Sequence, residues 1–333
     1  MPFRAVYAEQ HRCDDKQAAE GGSEASTSTA MRIFLPGLCF ALVVMTGGAV
    51  RAAEPVGTAT PAHAQSMVPS WLYGLWQREW IEQGTVRSNT LDVHYLQTPS
   101  FFGDVRIPRD RPNLVHARSF ADLSDQELHA LAKQRGFAGR ITLVGSSATW
   151  HHQIDFQPPD GEEDIGRLEL LAGRRMHETG LDGSYTESWK SMADGDGRFL
   201  VVQTERDGRA QRLLLVAGDY FVFARNRAKD LPSAASLESL IASSHPSRAQ
   251  IVEYLDCEFS FGRVRGGSVA WEILRSTLPW REQHRLEFVD ELEVATEGNR
   301  VRPRTSAAEH WTVPINTLSG AELSEMFPDR TGH

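Results

Sequence analysis

From Ser70 to about residue 317, apolar residues recur mostly at every second position, in short runs broken by glycine-bearing turns. Successive side chains of a strand point to opposite faces, so this period demands strands that each bury one face. Arg198 to Glu205 and Ala210 to Val216 flank Asp207-Gly208, a strong two-residue hairpin signal. Gly139 to Leu143, Ala148 to Phe156, Arg167 to Leu171, Arg175 to Thr179, Tyr185 to Lys190 and Asp219 to Arg225 follow the same pattern. Leu255 to Val264, Val269 to Arg275 and Arg285 to Val289 extend it. The expected fold class is mainly β: antiparallel barrels, with two packed barrels preferred over one larger barrel with appended elements.

Helical signals are few. Ser124-Asp125-Gln126-Glu127 and Ser319-Gly320-Ala321-Glu322 are capping boxes, in which the Ser and Glu side chains satisfy each other's free backbone donors. They predict helices over 124–135 and about 319–326, with a weaker candidate at 234–243. A break at Met192 to Gly197 divides the expected barrels into 70–192 and 197–317, followed by a short C-terminal helix and tail at 318–333.

The N-terminal region follows other rules. Arg32, the apolar run Ile33 to Met45, and Val50-Arg51-Ala52 have the layout of a secretory signal, with translation starting at Met31 and residues 1–52 removed. The run is shorter than the roughly 20 residues that span a bilayer, so no membrane span is expected in the mature chain. Residues 53–69 read as a flexible leader. The expected location is periplasmic or secreted. Of three cysteines only Cys257 lies beyond residue 52, which leaves no internal disulfide and a buried structural thiol as the simplest reading. The formal charge of −9 argues against nucleic acid as a partner, since that affinity rests on neutralising phosphates.

Trp71-Leu72-Tyr73-Gly74-Leu75-Trp76 places Gly-x-Trp at the entry to the first strand, which resembles the opening of a lipocalin barrel. Further segments are Tyr95 to Pro99, Asp104 to Pro108, Gly136 to Gly139, Trp150 to Pro158 and Thr277 to Arg281. Together they resemble an uncharacterised lipocalin-like, calycin-type family that includes bacterial hypothetical proteins and the fungal Hri-type proteins. The resemblance implies a barrel whose floor is closed by Trp76, with Arg281 a candidate to stack on it. It implies no activity.

Candidate site residues follow from strand faces. A regular strand over 150–156 places Trp150, His152, Ile154 and Phe156 on one face and His151, Gln153 and Asp155 on the other. His152 is then a buried neutral imidazole, while His151 and Asp155 line a cavity or a solvated outer face. Asp104 and Arg106 share a face, as a structural pair or as a buried pair that orients a polar ligand head. Tyr185, Glu187 and Trp189 also share a face and either line a cavity or fill a barrel. The candidate catalytic groups are His151, His152, Asp155, Asp104 and Glu187. The candidate ligand contacts are Trp150, Arg106, Tyr185 and Trp189.

Phosphate loops, dinucleotide turns, paired-cysteine and His-Glu-x-x-His metal motifs and nucleophile elbows are all missing, so no cofactor and no metal are expected. The preferred function is binding of a small, largely apolar molecule in a barrel. The alternatives are a cofactor-free hydratase, isomerase or cyclase acting on an apolar substrate, and a structural module with filled barrels.

Overall fold

The computed structural model describes residues 68–267, 269–295, 300–305 and 309–327. The expected upstream extension, the signal segment and nearly all of the leader lie outside the described residues.

The first half is a closed antiparallel barrel. Its strands are β1 (Gly74–Gln83), β2 (Val86–Ser88), β3 (Leu91–Gln97), β4 (Phe101–Pro108), β5 (Arg135–Val144), β6 (Ser147–Asp155), β7 (Asp164–Leu171), β8 (Arg175–Gly180) and β9 (Tyr185–Ala193). Each strand from β3 to β8 pairs with the next in sequence, β1 pairs with β3, and β1 with β9 closes an eight-strand ring. The short β2 folds back on the far end of β1. Closure removes the unpaired edges that an open sheet exposes.

The second half forms β10 (Phe199–Arg206), β11 (Arg209–Ala217), β12 (Tyr220–Arg225), β13 (Glu258–Arg263), β14 (Glu272–Ser276), β15 (Leu292–Val294), β16 (Val301–Pro303) and β17 (His310–Asn316). The main sheet runs β14-β13-β12-β11-β10-β17, and β15 and β16 form a separate ribbon. The outer strands β14 and β17 do not pair with each other, so this half is an open six-stranded sheet where a second barrel was expected. Its composition explains why. Leu213 to Ala217 is an unbroken apolar run, buried throughout. A sheet covered on both faces produces such runs, whereas a barrel wall facing water alternates.

One face of this sheet packs on the barrel. Phe101, Val105 and Ile107 of β4 meet Val201, Leu215, Val222 and Phe261 in the largest core cluster. β4 is buried along its whole length. Its other face, Phe102, Asp104 and Arg106, points into the barrel. Gly103 permits the contact, because a Cβ there would stand 2.6 Å from Val222 Cγ1. The far face of the sheet carries Leu200, Leu214 and Phe223, packed with Trp271, Phe288 and Leu323.

Among the described residues there are four α-helices: α1 (Asp125–Leu131), α2 (Leu237–Ser244), α3 (Arg248–Leu255) and α4 (Gly320–Met326). Both expected capping boxes form, with Glu127 Oε2 accepting the Ser124 N–H at 2.7 Å and Glu322 Oε2 accepting the Ser319 N–H at 2.8 Å. The third helix was not anticipated, although Ser247-Arg248-Ala249-Gln250 is also a capping box. Arg285 to Val289 was expected as a strand, but Glu287–Glu291 forms a 3-10 turn.

Candidate functional site

The barrel interior has an apolar part and a polar part. Trp76, Ile141, Leu143, Ala148, Leu168, Met176 and Trp189 belong to one buried cluster, against which Leu72 and Val68 close from the N-terminal side. Trp76 donates its indole N–H to the Leu72 carbonyl at 2.7 Å and meets Trp71 edge to face. Gly74 is needed beside it. Its φ is +103°, and a Cβ would lie 2.0 Å from the Ala193 carbonyl oxygen where β9 closes the ring. The expected stacking of Arg281 on this tryptophan is not what forms. Arg281 lies on a turn after β14 and pairs with Glu287 at 3.0 Å and Glu258 at 3.5 Å.

The polar part brings most of the predicted residues together. Glu187 on β9 is fully buried and receives hydrogen bonds from Arg78 on β1 and, at 3.3 Å, from Arg106 on β4. Arg106 also grips Asp104 Oδ2 through Nε at 3.0 Å and Nη2 at 2.9 Å. A same-face pair two residues apart on one strand thus joins a four-member network across the lumen. Burial raises the Asp104 carboxyl above the usual range, and Arg106 opposes that rise.

Arg78 and Glu178 were missed by sequence reasoning. Arg78 follows Trp76 by two positions, the spacing that keeps it on the same face, so a signal was present. Glu178 sits directly opposite Glu187 in the β8–β9 pairing. Two carboxyl groups so close and so buried disfavour each other's charged form. Burial, then the neighbouring Glu187, lifts Glu178 well above the ordinary glutamate range, which favours its neutral form. Tyr185, predicted on the Glu187 face, donates its hydroxyl to Glu178 at 3.1 Å. Tyr95 accepts the Trp150 indole N–H at 3.1 Å and donates to Gln97. Burial holds its phenol far above neutral pH.

The 150–156 strand departs from its expected geometry. Gly139 pairs with His152 while Ala138 pairs with Ile154, so Gln153 is an extra residue, a β-bulge. The alternation restarts after it. Trp150 and His152 face the lumen, Ile154 and Phe156 face the second sheet, and Asp155 shifts to the lumen side with His152. His151 points outward and meets Thr142 Oγ1 at 3.0 Å. The expected pairing of His151 with Asp155 on one face is therefore overturned, as is a neutral His152 among apolar neighbours.

His152 is held by two carboxylates, with Nδ1 at 2.7 Å from Asp155 and Nε2 at 3.0 Å from Asp164. Its side chain keeps a quarter of its surface exposed. Burial would lower its pKa, but the hydrogen bonds and charges of Asp155 and Asp164 outweigh that and push it up to about 10. The imidazolium stacks on Phe137 at 4.6 Å, and the Arg106 guanidinium lies 4.9 Å from the same ring. Phe137 thus sits between two cations, each attracted to the ring quadrupole.

This arrangement restricts the chemistry. An imidazolium with both N–H groups engaged has no lone pair to take a proton near pH 7, so His152 is no general base. His151 is outside the barrel. Cys257 is buried, its thiol pushed up to about 11, so it is no thiolate nucleophile. Among the described residues, no group of His, Cys, Asp and Glu has metal-binding geometry.

What the interior does offer is unmet hydrogen bonding. Arg78 Nε and Trp189 Nε1 are buried donors, and Asp104 Oδ1 and Glu187 Oε2 buried acceptors, without a partner among the described residues. Each such group costs about 1–3 kcal/mol when left unpaired.

No protein-family model matches the chain, and no curated protein sequence matches it. Among solved structures, the chain is similar to the crystal structure of an uncharacterised protein from Saccharomyces cerevisiae. The two share 14% identity and a TM-score of 0.45, over 73% of this chain and 98% of that one.

Proposed function

We propose that this protein binds a small molecule with an apolar body and a polar head inside its first barrel, the head meeting the Arg78–Glu187–Arg106–Asp104 network. The carrying observation is the set of four buried polar atoms without protein partners, two donors and two acceptors, in one lumen. Buried polar groups in native proteins are almost always paired, with protein or ordered water, so such a concentration suits the polar head of a guest. The rings of Trp150, Trp189 and Tyr95 supply the apolar wall that ligand sites use.

Binding is favoured over catalysis because the histidines offered as bases are respectively protonated and outside the lumen. The competing reading is a structural barrel, supported by the bulk of Trp76, Trp150 and Trp189 filling the apolar part. Native mass spectrometry of protein purified from its own host separates the two. A bound small molecule, lost on substituting Arg78 and Glu187 together, supports the binding reading. An unliganded mass that no extract of apolar and amphipathic metabolites alters rejects it. The reading includes export, for which N-terminal sequencing from the host should give a start near Ala53; a mature chain retaining Met1 would refute that part.

A further inference from the structure

A cleft of about 890 Å³ opens outside the barrel, where the chain leaves β4 and runs past the turn that follows β14. Its size falls in the roughly 300–1,000 Å³ range of small-molecule sites. Ile107, Leu114 and Ala117 line it and are buried, and Trp280 forms a wall, steadied edge to face by Phe120 at 4.8 Å. Val115 stands at its lip with 86% of its surface exposed.

Its charge has the opposite sign to that of the protein. Arg109, Arg111, Arg118 and Arg275 face the cleft, against the carboxylates of Asp92 and Glu282, and His284. The two carboxylates are already engaged. Glu282 accepts from Arg111 at 2.7 Å, and Asp92 accepts from Arg275 at 2.9 Å. Arg109 reaches Asp92 only at 3.8 Å and spends its Nε–H on the Asn89 carbonyl. The Arg118 guanidinium makes no hydrogen bond among the described residues. Four arginines thus face two carboxylates across the cleft, with Asp122 acting on Arg118 from outside it, beside an apolar floor on a chain of net charge −9.

We propose that this cleft is a second binding site, for an oxyanion that carries an apolar tail. Guanidinium groups suit carboxylate and phosphate oxygens, because their fixed N–H fork matches the planar or tetrahedral acceptor. The floor of Ile107, Leu114 and Ala117 takes the tail, and Val115 and Trp280 flank it. Arg118, whose guanidinium makes no hydrogen bond among the described residues, supplies a cation at the mouth. This site is independent of the barrel reading, since none of its residues faces the lumen.

The test is calorimetric titration of the full chain at low salt with dodecanoate and dodecyl phosphate, and with dodecanol and dodecyltrimethylammonium as neutral and cationic comparators. Val115 and Arg118 are exposed, so the double variant Val115→Glu/Arg118→Glu keeps the fold, checked by near-ultraviolet circular dichroism. Should it fail that check, Arg118→Ala replaces it. The expected result is binding of at least one anionic probe about tenfold or more tighter than both comparators, and weakened about tenfold by the variant. The tighter of the two anions identifies the head group. No binding, equal binding of all four probes, or an affinity for the anions that the variant leaves unchanged overturns the proposal; the last result would place the probe in the barrel instead.

Discussion

His152 Nδ1 lies 2.7 Å from Asp155 Oδ2, although a regular strand would place residues three apart on opposite faces. The bulge at Gln153 brings them together, and with Asp164 they enclose a cation at the polar part of the barrel. Two residues that a regular strand separates have become one unit, and the unit makes distinct demands on mutation and pH.

Coupling is the first. A double-mutant cycle on His152→Gln and Asp155→Asn, measured by urea unfolding, should be non-additive by about 0.5–3 kcal/mol, the range for residues in contact. His151→Gln should change stability by less than about 0.5 kcal/mol, as expected of an exposed position. Additive effects at His152 and Asp155 would show that the bulge does not form.

The pH response of His152 has a definite sign. Its folded pKa of about 10 lies above the ordinary imidazole value of 6.5, so the imidazolium stabilises the fold fully below pH 6.5. That contribution declines as pH rises from about 6.5 towards 10. Thermal melts over this window should show the wild type losing more stability than His152→Gln, and an NMR titration of the imidazole should show no deprotonation at pH 8. An imidazole that titrates near 6.5 would contradict the two-carboxylate clasp.

Glu178 and Glu187 face each other and should respond in opposite ways to the same change. Glu178→Gln mimics the neutral carboxyl, so it should cost little below about pH 4.5 and gain on the wild type as pH rises towards 7. Because its folded pKa is raised, the wild type loses stability as pH climbs above about 4.5, and the glutamine variant lacks that component. Glu187→Gln strips the shared carboxylate from Arg78 and Arg106 and should cost about 3–5 kcal/mol, the usual penalty for breaking a buried ion pair. Denaturant midpoints of both variants at pH 7 test this, and equal losses would contradict the assignment.

Trp76→Ala should cost about 3–5 kcal/mol by emptying the apolar part of the lumen. Gly74→Ala should also fail, because its Cβ would collide with the Ala193 carbonyl. A Trp76 variant that melts like the wild type would place the ring on the surface.

The sequence was most legible where local chemistry decides structure. The Gly-x-Trp entry, the Ser124 and Ser319 caps and the Asp104–Arg106 pair all lie where pattern and turn chemistry point. Legibility failed where a tertiary event intervened. One extra residue at Gln153 inverts every later side chain on β6, and no residue type there announces it. The open second sheet was legible in principle, since Leu213 to Ala217 is too continuously apolar for a wall with one wet face. Glu178 was out of reach for another reason: its neutral state depends on Glu187, which becomes its neighbour only through the β8–β9 register.

The barrel reading is tested most directly by native mass spectrometry of the host-purified wild type beside the paired variant Arg78→Met/Glu187→Gln, which removes opposite charges together and leaves comparable volume. The expected result is one small molecule retained by the wild type at one-to-one stoichiometry and lost from a variant that still folds. A wild type that flies at its unliganded mass, and takes up nothing from host extract, would contradict it.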